Sequence, residues 1–159
     1  MLEGTLETDP LFLGTGRENA YSRLEAIRIR YPYQFTARSR VWLPYGWIPL
    51  FDHLACVADG LLVESRCGFR WTAVSDLHGQ ARFEWGISSR AGPRFDPLRN
   101  RLGAAVVLAR AAARATCMGC GRPANWSGEI VGGEVMCPRH EGCHASPATF
   151  RGPPARSVS

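Results

Sequence analysis

The sequence predicts an α+β fold in which an antiparallel hairpin or small sheet packs against two or three helices, followed by a cysteine-rich C-terminal module. Strict two-residue alternation on both sides of residue 78, apolar residues at three- and four-residue spacing in three stretches, and four of the six cysteines gathered between 117 and 143 carry that expectation. With 159 residues, 45% of them hydrophobic, the chain suits one ordinary core with a small satellite.

The hairpin is the clearest element. Phe69, Trp71 and Ala73 alternate with Arg70 and Thr72, and Ala81, Phe83, Trp85 and Ile87 alternate with Arg82, Glu84 and Gly86. A three-residue loop of Leu77, His78 and Gly79 pairs Ala73 with Phe83, Trp71 with Trp85 and Phe69 with Ile87, so that every large aromatic shares one face. A four-residue loop sets inward residues opposite outward ones. A first helix fits residues 17–30, with Ala20, Leu24, Ile27 and Tyr31 on one face and Pro32 as its stop. Residues 41–46 read as a short strand and turn. Pro49 suits the first turn of a second helix over 48–59, whose buried stripe is Trp47, Leu50, Phe51, Leu54, Ala58 and Leu61, with Asp52 and Asp59 on its outer face. Asp96 as cap and Pro97 as opening residue start a third helix reaching about residue 115. Its narrow face of Leu98, Leu102, Ala105, Val106, Ala109 and Ala113 permits close packing on the hairpin aromatics.

The expected organisation is a flexible arm over 1–16, a core over 17–115, a metal module over 116–144 and a disordered tail over 145–159. The tail follows from a Pro, Ser, Arg and Gly composition with one aromatic, Phe150.

All nineteen basic residues are arginine, against fourteen acidic ones, for a formal charge of +5. The missing lysine excludes a phosphate-loop lysine, a Schiff-base lysine and the lysine of common metal-nuclease cores. Because the arginines are scattered, the bias reads as that of a GC-rich genome before it reads as phosphate chemistry. Residues 1–10 lack a basic stretch followed by an apolar one, and no window holds 18 unbroken apolar residues. The expectation is a cytoplasmic protein with no membrane partner.

Cys117-Met118-Gly119-Cys120-Gly121 has the form of a zinc knuckle, in which tight-turn amides can point at thiolate sulfurs. Sixteen residues later Cys137-Pro138-Arg139-His140 supplies a second pair. Between them Glu129-Ile130-Val131 and Glu134-Val135-Met136 flank Gly132-Gly133, a hairpin turn that brings the second pair back beside the first. Two knuckles joined by a hairpin make a zinc ribbon. The expected ligands of a structural Zn²⁺ are Cys117, Cys120, Cys137 and His140, with Cys143 and His144 as alternatives for the fourth. Four protein ligands leave no position for an activated water. Cys56 and Cys67 stand apart and read as core thiols.

Other residues carry weaker signals. His53 beside Asp52 and His78 near Asp76 lack a nucleophile in sequence, Ser88-Ser89 lacks the flanking glycines of a nucleophile elbow, and Gly14-Thr15-Gly16-Arg17 is half of a phosphate loop. On the third helix Arg99, Arg110 and Arg114 align within about 60° and form a basic stripe. Trp71 and Trp85 read as core, while Trp42, Trp47 and Trp126 are candidates for a binding surface.

Residues 43–54, the strand Ala81-Arg82-Phe83-Glu84-Trp85 and the segment from Cys117 to His140 together resemble small uncharacterised proteins encoded by bacteriophages and prophages. In that group a Gly-Trp turn, here Gly46-Trp47, leads into a helix with a Leu-Asp-x-Leu core, and a two-cysteine knuckle is answered by a Cys-x-x-His pair. The resemblance spans roughly residues 40–142 and implies a mobile-element origin without enzymatic activity. The expected function is that of a zinc-binding protein that occupies a host protein or nucleoprotein complex, for example to inhibit a defence system. The alternative is direct nucleic-acid binding through Arg99, Arg110, Arg114 and the ribbon. A metal-dependent hydrolase or nuclease, with Glu141 beside an open zinc position, is a third class.

Overall fold

In a computed structural model, which describes residues 16–63, 68–88, 95–124, 130–131 and 134–135, the first helix, α1, spans Gly16–Arg30. Pro32 ends it and opens a single 3-10 turn over Pro32–Gln34. Ala20, Leu24, Ile27 and Tyr31 are buried as their spacing requires. The flanks of α1 are held by arginine stems: Arg23 lies over the Tyr45 ring at 4.8 Å and Arg28 over Phe35 at 5.7 Å. The expected N-terminal arm up to residue 15 and the C-terminal tail lie outside the described residues.

Strand β1 is only Arg40–Val41, and a second 3-10 turn over Tyr45–Trp47 leads into α2, Ile48–Leu62. Phe51, Leu54, Ala55, Ala58 and Leu62 of α2 are buried, whereas Leu50 and Leu61 are half-buried. The buried stripe thus lies slightly off the expected one, with Asp52 turned toward α1 and Asp59 toward the 3-10 turn that follows it. Arg30 Nη1 pairs with Asp52 Oδ1 at 2.8 Å, and the Tyr33 hydroxyl donates to Asp59 Oδ1 at 2.6 Å. Cys56 is exposed rather than a core thiol, because it falls on the polar side of this stripe. Cys67 lies outside the described residues.

Strands β2 (Arg70–Leu77) and β3 (Gln80–Gly86) form the predicted hairpin, but by a shorter turn. His78 and Gly79 both have positive φ, 50° and 79°, which is the two-residue type I′ geometry suited to strand twist. Asp76 Oδ1 accepts the Gly79 amide at 2.8 Å and fixes the turn. Leu77 then pairs with Gln80 and Val74 with Phe83, so the expected pairing of Ala73 with Phe83 is one residue off. A register shift between Trp71 and Ala73 restores the expected Trp71–Trp85 pair. That bulge changes strand parity. Val74, not Ala73, therefore faces the core on the same side as Phe69 and Trp71.

The sheet order is β1-β2-β3 and the sheet is mixed: β1 runs parallel to β2, with Arg40 opposite Ala73 and Val41 opposite Val74. A parallel neighbour requires a crossover, and α2 is that crossover. The third helix, α3, spans Asp96–Arg114 and buries Leu102, Val106 and Ala113. Asp96 lies inside its first turn and bonds Arg99, so it does not act as the cap. Phe51 sits at the centre of the packing. Its ring meets Phe35 and Trp71 edge-on at 6.3 and 5.4 Å and stacks on Phe83 at 6.0 Å.

Among the described residues one polar side chain, Gln34, is fully buried, at the junction of α2 and β2. Its Nε2 donates to Ala55 O at 3.0 Å and to the Tyr33 hydroxyl at 3.2 Å, and its Oε1 accepts Trp71 Nε1 at 2.8 Å. Ser39 Oγ donates to Trp71 O at 2.6 Å. Replacing Gln34 by Ala strands the Trp71 indole N–H without water and removes the second bond on Ala55 O, and is expected to cost roughly 1–3 kcal/mol in urea-induced unfolding.

Burial pushes the Asp76 carboxyl above the usual aspartate range, against the opposing pull of the Gly79 amide and His78. The folded chain therefore favours the protonated acid. The associated stability is present at pH values below the unfolded pKa and is lost as pH rises through the folded one. Asp76→Asn keeps an acceptor for Gly79 and removes the charge. Its melting temperature is expected to exceed that of the wild type near neutral pH, with the two converging in acid.

Candidate metal centre

Helix α3 runs directly into the cysteine pair. Ala115 N and Thr116 N donate back to Ala112 O and Ala113 O at 3.1 and 3.2 Å, and the Thr116 hydroxyl donates to Ala112 O at 2.7 Å. The chain then doubles back. Cys117 N donates to Arg122 O at 2.8 Å, Gly121 N to Cys117 O at 2.9 Å and Ala124 N to Ala115 O at 2.9 Å, while Thr116 faces Pro123 across an antiparallel bridge. Gly121 takes φ of 80°, which a side chain would strain. This closed turn, a knuckle in shape, carries both cysteines of the Cys-x-x-Cys-Gly spacing. Cys117 is buried and Cys120 is exposed.

The knuckle is seated on the turn before α2. Gly46 N donates to Met118 O at 2.8 Å, and a Cβ placed on Gly46 would stand 2.5 Å from Gly121 N and 2.8 Å from Met118 O, besides overlapping Cys117 O. Trp47 Nε1 donates to Thr116 O at 3.0 Å. Trp47 and Met118 are both 0% exposed, so Trp47 is a core residue holding the knuckle and not part of a binding surface. Its indole meets the knuckle backbone with its polar edge and the core with its apolar body.

Strands β4 (Ile130–Val131) and β5 (Glu134–Val135) pair antiparallel, Ile130 with Val135 and Val131 with Glu134, in the register expected for a hairpin about Gly132-Gly133. The second ligand pair, Cys137 and His140, lies outside the described residues, as do Cys143, His144, Glu141 and Trp126. Among the described residues no three His, Cys, Asp or Glu side chains gather as a metal site. Two thiols at this spacing are, by their chemistry, half of the donor set of a tetrahedral thiolate site.

In comparisons with protein-family models, curated proteins and solved structures, nothing matches this chain.

The arginine stripe of α3 is largely engaged within the chain. Arg99 Nη1 lies 2.9 Å from Asp96 Oδ1, and Arg110 Nη2 donates to Phe83 O at 3.3 Å, while Arg114 is exposed in the last turn. Arg99 and Arg110 thus each direct one donor group at an acceptor of the chain itself. Among the described residues no helix is long and apolar enough to cross a membrane.

Gly46 is the structural position that spacing alone does not expose, because a glycine's closeness to a backbone 71 positions away has no local signature. Gly46→Ala is expected to dislodge the knuckle and cost about 3 kcal/mol or more. Trp47→Phe keeps most of the bulk but leaves Thr116 O without its indole donor, an expected loss of about 1–2 kcal/mol. Thermal unfolding followed by near-ultraviolet circular dichroism reads both.

Proposed function

We propose that the chain is a non-catalytic binding protein in which Cys117, Cys120, Cys137 and His140 hold a structural Zn²⁺ ion. The observation that carries this reading is the seated knuckle. Its backbone is closed by its own hydrogen bonds, its glycine takes a left-handed conformation, and its far side is buried against Gly46 and Trp47. A turn fixed in this way before metal arrives reduces the entropy cost of bringing two sulfurs together. In this reading the antiparallel β4–β5 pairing lies in the chain between the two ligand pairs and reverses its direction there.

Zinc in such a set supplies no redox chemistry, and four protein ligands leave it no open position, so its contribution is to folding. His53 and His78, the histidines among the described residues, sit on an exposed helix face and in the hairpin turn rather than in a shared cleft. The resemblance to phage-encoded proteins supplies the partner class, a host protein or nucleoprotein complex in the cytoplasm.

The purified full chain is expected to hold about one zinc ion per molecule by elemental analysis. Cys120→Ser and Cys137→Ser each abolish that content, Cys56→Ser leaves it intact, and chelation lowers the melting temperature. His140→Ala against Cys143→Ser and His144→Ala identifies the fourth ligand. Full-length protein that takes up no zinc, or that loses it with Cys56 instead, overturns the reading.

A further inference from the structure

The two faces of the three-stranded sheet differ in chemistry. Val74, Trp71 and Phe83 face the helices and are buried. Paired residues of neighbouring strands share a face, so Arg40, opposite Ala73, stands on the side away from Val41 and Val74. Arg70, between buried Phe69 and Trp71 and opposite Gly86, stands on that same open side. Arg38, in the turn that leads into β1, lines with Arg70 a cleft of about 500 Å³ whose walls are the turn over 36–39 and the start of β2. Arg38, Arg40 and Arg70 are all exposed and have no carboxylate partner among the described residues.

The rest of the open face reinforces this charge. Its one carboxylate among the described residues, Glu84, is already paired with Arg82 at 2.6 Å. Trp42 continues β1, donating its amide to Val74 O at 2.7 Å. Alternation sets its half-buried indole on the side opposite core-packed Val41 and buried Leu43. The face from Arg70 to Trp42 therefore presents three uncommitted guanidinium groups and an aromatic plane along roughly 15 Å of sheet.

Guanidinium groups bind phosphate oxygens bidentately, and an indole stacks on a nucleobase. Duplex readers insert a protruding helix or ribbon into a groove, whereas this surface is the flat side of a short sheet. An acidic peptide satisfies the arginines but makes no use of the indole. Single strands offer phosphates and unstacked bases together. We propose that the open sheet face binds single-stranded nucleic acid, with Arg38, Arg40 and Arg70 on its phosphates and Trp42 stacked on a base.

This goes beyond the metal-stapled reading and does not depend on it. The test is fluorescence anisotropy of a labelled oligothymidylate of about 15 nucleotides with the full-length protein, across about 50 to 200 mM salt. Binding is expected to weaken steeply with salt. Arg38→Gln, Arg40→Gln and Arg70→Gln combined lower the log–log salt slope by about 2, as loss of three single-strand phosphate contacts requires. Trp42→Leu weakens binding about 10-fold and leaves the slope unchanged. Zinc content of these variants stays that of the wild type, so failure here and failure of the metal reading are told apart. The proposal is overturned if no anisotropy change occurs at low salt, or if duplex of equal length or polyglutamate competes as well as the single strand. Loss on Arg99→Gln with Arg114→Gln, in place of the sheet arginines, overturns it equally.

Discussion

Gly46 has no room for a side chain, because backbone atoms of Cys117, Met118 and Gly121 occupy the space a Cβ would take. Much of the architecture is arranged around that approach. The 3-10 turn over Tyr45–Trp47 presents the bare Cα to the knuckle and then swings the Trp47 indole beneath it, where Nε1 reaches Thr116 O. Met118 enters the same hydrophobic cluster as Phe51 and Trp71. The cysteine pair is therefore anchored to the helix–sheet core by backbone hydrogen bonds as well as by apolar burial, which a ribbon hung on a flexible linker would lack.

The sheet follows from a second constraint, the mismatch between a two-residue turn and the aromatic pattern. A type I′ turn at His78-Gly79 fixes Val74 opposite Phe83, yet Trp71 and Trp85 also have to share the core side. The bulge near Thr72 reconciles them at the cost of one unpaired position. With β1 added in parallel through the α2 crossover, helices cover one side of the sheet and arginines line the other.

Elements whose signal is local periodicity were legible from sequence. The faces of α1 and α3, the hairpin's existence and the Trp71–Trp85 pair all rest on spacing within a few residues. The register near the turn was not, since a three-residue loop without a bulge and a two-residue loop with one place the same aromatics inward. Gln34 escaped notice because its partners, Ala55 O and Trp71 Nε1, lie 21 and 37 residues away. Trp47 illustrates the same limit: its place at the head of the α2 stripe pointed to burial, its size to a surface role, and only the distant Thr116 carbonyl decides between them. The turn that carries Cys117 and Cys120 has a local signature in Gly121, whereas its seat against Gly46 has none.

The bond from Trp47 to Thr116 closes a segment of 69 residues. Closing a loop of that length costs about 4 kcal/mol of chain entropy, roughly 0.6 kcal/mol more than the β1–α2–β2 crossover of about half the span. The contact therefore costs little more chain entropy than the crossover, yet it joins the start of α2 to the end of α3. Gly46 and its turn precede the cysteines by some 71 positions in the chain, so the knuckle works as a clasp: it ties the end of the last helix to the entry of the second and leaves neither end to fray alone.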